Sequence, residues 1–303
     1  MKSLGLNRYA LAIGAAAALL GGCGGSQPSL GAPGAMPRNP AIATHADRGK
    51  SWMLPEAKSE GLLYIADACG GLCISTYPAG KLVGSIAIAA GFLCTDQQGD
   101  VFVTTQNGST GQIVEFAHGG TEPIATLADT GYFPFGCSVD KTTGNLAVAN
   151  YLGFDDQNGN VTIYPAGKGS PVTYTPPNIA HPFFCAYDND GNLYVDGNDY
   201  SGVVIAKLAK GSSGFTDMTL NANLQDAGPL QWHSNYLAAG YGDVARSEVY
   251  RIAVSGSNGT VEGVTHLALG TKMRNEGAQF WIQADTMLIP VRRLGRLFDE
   301  IGF

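Results

Sequence analysis

The sequence predicts an all-β chain, and three observations carry that reading. Glycine supplies 42 of the 303 residues, about twice its usual share, while charged residues make up only 14% against a usual quarter. Few charges together with much Gly, Asn, Thr and Tyr suit turn-rich β structure better than helices. The third observation is internal repetition, described below. Hydrophobic residues at 45% are ample for a core, which excludes a disordered chain. The formal charge is −7, and no basic stripe occurs before residue 292, which argues against a nucleic-acid partner.

Residues 1–22 read as an export signal. Lys2 and Arg8 give a positive start, and Tyr9 to Leu20 is an apolar or small-residue run too short to span a bilayer as a permanent helix. Loss of this segment removes two bases and no acid, so the formal charge becomes −9. Leu20-Gly21-Gly22-Cys23 follows at once and resembles a bacterial lipobox. The resemblance implies cleavage before Cys23, acylation of that residue and anchorage to a membrane through lipid. By the sorting rule of such proteins, Gly24 after the Cys implies the outer membrane of a two-membrane bacterium. The expected location is therefore the cell envelope, on the outer membrane or the outer face of the cytoplasmic membrane. Residues 23–50, with Pro28, Pro33, Pro37 and Pro40 among Gly, Ser and Ala, form the expected disordered tether.

Residues 51–291 carry the repeat. Its clearest element is an apolar strand: Leu62–Asp67, Val101–Thr104, Leu146–Asn150, Leu193–Asp196, with weaker copies at Tyr236–Gly240 and Met287–Pro290. A turn trails it: Tyr77-Pro78-Ala79-Gly80, Phe116-Ala117-His118-Gly119 and Tyr164-Pro165-Ala166-Gly167. A third element precedes it: Phe92-Leu93-Cys94, Phe135-Gly136-Cys137 and Phe183-Phe184-Cys185, with Trp232 and Trp281 near where the next copies begin. A unit of about 40–50 residues with four short strands is a propeller blade. Each unit reads inner strand, Asp-x-x-Gly turn, second strand, polar loop, third strand, Tyr-Pro-Ala-Gly turn, outer strand. Six second strands predict a six-bladed β-propeller of four-stranded blades.

After Ile289 the character changes. Arg292, Arg293 and Arg296 cluster, and Leu294, Leu297, Phe298 and Ile301 are spaced i, i+3, i+4, i+7. The last blade is expected to be incomplete, with residues 292–303 a short helix or disordered and the second strand left as an open edge.

Asp188-Asn189-Asp190-Gly191 and its equivalents at Asp96 and Asp140 are read as hairpin turns rather than calcium loops, because the distal Glu of such a loop is missing. Cys23 aside, five cysteines remain. Cys69 and Cys73 bracket one short loop, where a disulfide and free thiols are both open outside the cytoplasm. Cys94, Cys137 and Cys185 occupy one repeat position and so are expected to point in equivalent directions, unpaired, as small core residues. No nucleophile elbow, His-Glu-x-x-His or phosphate loop occurs, so no catalytic residue, metal or cofactor is assigned.

The turn pattern of residues 62–289 resembles the six-bladed NHL-type and gluconolactonase-type propellers, and the lipobox adds a resemblance to cell-surface lipoproteins of unassigned function. Loops entering the inner strands then converge on one pore face, and Phe135, His181, Phe183, Trp232 and Glu276 are its candidate ligand residues. The gluconolactonase resemblance implies a hydrolase with a divalent metal at the pore, held by acid and amide side chains on inner strands. Here those positions carry Cys94, Cys137, Cys185, Trp232 and Trp281, and the acid and amide near the face, Glu276 and Asn178, recur in no register. The expected function is a membrane-anchored binding or scaffold module for a protein, glycan or small molecule, with the metal-dependent hydrolase as the alternative.

Overall fold

The computed structural model describes residues 50–302 except 67–68, 109, 156, 200–201, 225, 243–246, 268–278, 285 and 294–295. All of them lie in one compact unit, residues 36–303. Cys23 and Glu276 fall outside the described residues.

Six sheets follow one another along the chain. The first holds β1 (Trp52–Met53), β2 (Gly61–Ala66), β3 (Leu72–Tyr77) and β4 (Leu82–Ile86), with β1 on the far side of β4. The second holds β5 (Leu93–Thr95), β6 (Val101–Asn107), β7 (Thr110–Phe116) and β8 (Pro123–Thr130) in simple meander order. The third repeats it with β9 (Tyr132–Val139), β10 (Leu146–Gly153), β11 (Asn158–Tyr164) and β12 (Val172–Tyr174). The fourth does so with β13 (His181–Tyr187), β14 (Leu193–Asn198), β15 (Val203–Leu208) and β16 (Thr216–Asp217). In the fifth, β17 (Thr219–Leu220) lies parallel to β21 (Asn258–His266), outside the meander of β18 (Leu230–His233), β19 (Tyr236–Gly242), β20 (Ser247–Ser255) and β21. The sixth holds β22 (Trp281–Gln283), β23 (Thr286–Arg293) and β24 (Arg296–Gly302). The fold is an all-β propeller of six blades.

Each second strand has neighbours on both faces, which is why it reads as a continuous apolar run instead of an alternating one. Leu146, Ala147, Val148 and Ala149 are all fully buried, as are Val101, Val103 and Val195. The turns repeat their chemistry. Asp96 Oδ1 accepts the amides of Gln98 and Asp100, Asp140 Oδ1 that of Thr142, and Asp188 Oδ1 those of Asp190 and Asn192, all at 2.8–3.0 Å. Gly99 and Gly191 both take φ of 84°, which an Asp-capped turn needs at that position. These Asp side chains serve the backbone of hairpins.

The ring closes through packing and two side-chain amides. Leu288 of the sixth sheet packs with Ile65, Cys73 and Leu82 of the first, and Tyr77 meets Trp281 edge-on at 5.6 Å. Gln231 on β18 donates to Ile282 O at 2.9 Å and accepts from Ile282 N at 2.8 Å. Gln279 does the same for Leu93, at 3.1 and 3.0 Å, and so ties the entry to the sixth sheet to the second. Each glutamine amide offers one donor and one acceptor to a strand, as a neighbouring peptide unit would.

Two expectations are corrected. Residues 296–302 are neither helical nor disordered: they form β24, antiparallel to β23 from Thr286↔Gly302 to Arg293↔Arg296. Among the described residues the sixth sheet therefore has three strands, and β23 is paired on both sides. A strand lacking a partner on one side leaves a row of backbone donors and acceptors open. Pairing them outweighs the weak helical spacing of one short segment. The second correction concerns the repeat cysteines. Cys94 and Cys137 form a disulfide, with Cα atoms 5.6 Å apart, linking the inner strands of adjacent blades. Inner strands lie nearest the axis, where equivalent positions approach most closely, so equivalent placement does not keep neighbours apart. Cys185, in the next blade, is a free buried thiol. Cys69 and Cys73 are also bridged, with Cα atoms 5.9 Å apart.

Candidate functional site

Aromatic rings gather where the chain enters the inner strands. Phe135 on β9 is their hub. Its ring lies 4.0 Å from Phe92, 5.3 Å from Phe183, 5.4 Å from Phe184 and 6.1 Å from Tyr151, centroid to centroid. Tyr151 on β10 stacks on His181 at 5.1 Å and 29°, and lies equally close to Phe183. The residues come from three successive blades. They converge because inner strands run from this end inward while second strands run back toward it, so the start of β9 and β13 meets the end of β10. Tilted and edge-to-face pairs of this kind each contribute about 0.5–1.5 kcal/mol beyond area burial.

Burial divides the cluster. Phe92, Phe183 and Phe184 are buried and wedge the blades together; Phe135, Tyr151 and His181 are half-exposed and form its outer layer. Phe133 and Phe154, both half-exposed, pack at 4.0 Å on the same end of the third sheet. The result is an aromatic surface with an imidazole at its edge, able to stack against flat or apolar groups.

Of the residues read from the sequence as the pore face, Phe135, His181 and Phe183 come together. Trp232 does not. It pairs with Leu237 one step from the β18–β19 turn, at the opposite end of its strand. There it stacks on Tyr194 of the preceding blade at 5.6 Å and 8°, with Lys207 Nζ over the other ring of the pair. Its indole Nε1 is buried without a partner. The two-residue difference between the Phe-x-Cys copies and Trp232 hides this shift in depth. Asn178 is exposed and donates to the Asp217 carboxylate. Sequence reasoning missed Tyr151, although the residue after the corresponding run in the fifth blade, Tyr241, is a tyrosine too.

One buried acid stands behind this surface, and an acidic cluster lies at the other end of the second blade. Asp196, buried on β14, accepts from Phe184 N at 2.9 Å and Gly228 N at 3.0 Å, joining its own inner strand to the entry of the next blade. Burial outweighs these two donors and pushes its carboxyl up to about 8. At the far end of the second blade, Asp96, Asp100 and Glu115 bring carboxylate oxygens within 4.8 Å of one another. Glu115 is raised by burial and by the charges of Asp100 and Asp96. Asp96 Oδ1 is already engaged by turn amides. Glu115 was not legible as a neighbour of the Asp96 turn, since it sits a full hairpin later. Among the described residues this is the one grouping of three or more His, Cys, Asp or Glu close enough to share an ion, and it joins the β5–β6 turn to β7.

No protein-family model matches the chain, and no curated protein matches it. Solved structures do. A nidogen/laminin complex chain superposes with a TM-score of 0.54 at 14% identity, over 80% of this chain and 93% of that one. A luciferin-regenerating enzyme gives 0.54 at 12%, over 82% and 88%. A catalytically inactive virginiamycin B lyase from Staphylococcus aureus, solved with quinupristin, gives 0.53 at 12%, over 84% and 98%. Likeness at this identity shows the fold, and the fold it shows is the β-propeller.

Proposed function

We propose that the chain is a membrane-anchored, extracytoplasmic binding module that engages a protein, glycan or small molecule through the aromatic end of its propeller. One observation carries this reading: Phe135, Tyr151 and His181 stand half-exposed on a platform of buried Phe92, Phe183 and Phe184. A rigid aromatic surface supplies contact area at little entropic cost, which is what an anchor point in an interface needs. The two disulfides support an oxidising compartment, in keeping with export. The gluconolactonase-like alternative gains no comparable support, because the acid cluster that could share an ion joins one hairpin turn to β7, whereas the resemblance implies ligands on inner strands.

The test is a binding screen of residues 50–303 against immobilised envelope glycans and envelope proteins, repeated with Tyr151→Ala. Truncating a central aromatic is expected to weaken a ligand of this surface about 30-fold or more, equivalent to about 2 kcal/mol. Trp232→Ala should leave that affinity unchanged and lower stability instead. Equal binding by wild type and Tyr151→Ala moves the site elsewhere. Anchorage is tested separately. Cys23→Ala in the full chain should release the protein from the membrane fraction or block signal cleavage, and normal cleavage with full membrane retention would refute acylation.

A further inference from the structure

Between the second and third blades lies a buried polar cluster. Asp129 from β8, Asn150 from β10 and Asn160 and Thr162 from β11 are each 3% exposed or less. Asn150 Nδ2 donates to Asn160 Oδ1 at 2.8 Å and to Thr162 Oγ1 at 3.4 Å, and Thr162 Oγ1 donates to Asp129 Oδ2 at 3.3 Å. The Tyr164 hydroxyl, beside them, donates to Ala128 O at 2.9 Å.

Two features are unbalanced. Asn150 Oδ1 is fully buried and has no hydrogen-bond partner. A buried acceptor left open costs about 1–3 kcal/mol. In addition, the groups acting on the Asp129 carboxylate are neutral ones: Asn150, Thr162 and Tyr164. In its ionised form that carboxylate is a buried negative charge with no positive partner among these groups.

We infer that this cluster is a site for a hard cation of calcium size, held by Asp129, Asn150 Oδ1, Asn160 Oδ1 and Thr162 Oγ1. All four can present oxygen, the ligand such ions take. Half a turn of the Asn150 amide about its terminal bond exchanges Oδ1 and Nδ2 and brings the partnerless oxygen in among the others. With that exchange, the 2.8 and 3.4 Å that now separate Asn150 Nδ2 from Asn160 Oδ1 and Thr162 Oγ1 become oxygen–oxygen distances, and together with the 3.3 Å between Thr162 Oγ1 and Asp129 Oδ2 they match neighbouring oxygens on one such ion. Ligands at about 2.4 Å from calcium and set at right angles are about 3.4 Å apart, and closer in seven- or eight-fold coordination. None of the four lies on an inner strand, so the site is separate from the axis. Its occupant would tie the crossover out of the second blade to the two middle strands of the third.

The experiment titrates calcium chloride into EDTA-stripped full chain at about pH 7.5, with magnesium and potassium chloride as comparisons, reading calcium uptake by equilibrium dialysis and stability by thermal melting. It is run in a Glu115→Gln background, so that the Asp96–Asp100–Glu115 cluster cannot supply the signal. Saturable uptake of calcium with a rise in Tm is expected, lost in Asp129→Asn and weakened about tenfold or more in Thr162→Ala. If Asp129→Asn does not fold, Thr162→Ala decides. No saturable uptake in the Glu115→Gln chain, or uptake that Thr162→Ala leaves unchanged, overturns the proposal. So does a Tm that ignores calcium and follows pH alone, which would mark the buried polar cluster as a protonating carboxyl without an ion.

Discussion

Replacing both Cys94 and Cys137 with Ala should lower the stability of the propeller by about 4 kcal/mol, and replacing Cys69 and Cys73 by only about 2 kcal/mol. The difference comes from the chain each bridge closes. Cys94–Cys137 spans 43 residues and Cys69–Cys73 spans 4. A cross-link restricts the unfolded ensemble in proportion to the logarithm of the loop it closes. For a domain of this size, 1 kcal/mol is about 2–4 °C in Tm, so the long bridge should move the melt by about 10 °C. Thermal unfolding of the two double variants, each with and without reductant, checks the order. Reductant should have no further effect on a chain lacking all four cysteines. Equal melts for the wild type with and without reductant would show that the inter-blade bridge does not contribute.

The architecture was legible because blades impose a uniform environment. A second strand packed on both faces must be apolar throughout, and the runs from Val101 to Met287 were readable on that ground within a few residues of their observed ends, while the Leu62 run forms β2 at the edge of its sheet with Leu62 and Leu63 only partly buried. The Asp-x-x-Gly turns were legible because a side-chain acceptor three residues before the glycine is local chemistry. What failed depends on neighbours distant in sequence. The spacing of Leu294, Leu297, Phe298 and Ile301 is helical by itself, but the free side of β23 recruits the segment as β24. Cys94 and Cys137 were read as parallel equivalents, although the axis brings their strands to 5.6 Å between Cα atoms.

The site was half legible for the same reason. Phe135, His181 and Phe183 follow from the repeat position that opens each inner strand. Trp232 shares their order along the chain but sits deeper, where Tyr194 offers a parallel face. Tyr151, Asp129 and Asn150 belong to second and outer strands, whose contacts depend on how far one blade rotates past the next. Periodicity along the chain carries no record of that rotation.

Between about pH 4 and pH 8 the folded propeller should lose stability as pH rises, with a slope approaching 1.4 kcal/mol per pH unit at its steepest from Asp196 alone. The sign follows from the direction of its shift. Burial raises the folded carboxyl to about 8, above its ordinary value near 3.8. The folded state thus holds a proton that the unfolded chain has released. That contribution is fully present below about pH 4 and is lost as pH climbs through about 8. Cys185, buried nearby, does not compete in this window, since burial and the Asp196 charge push its thiol far up. Asp196→Asn removes the titration while keeping one acceptor for Phe184 N or Gly228 N. Its amide nitrogen, however, turns a donor toward the other amide. At about pH 5.5 the variant should therefore be less stable by about 1–3 kcal/mol, the cost of one buried donor left facing another. At about pH 8.5, where the wild type must either hold its proton at a cost or bury a charge, the two should draw level or cross. Urea midpoints at four pH values across this range measure both curves. Parallel curves would mean that the two backbone donors, at 2.9 and 3.0 Å, already hold Asp196 as a carboxylate and that burial is the weaker influence.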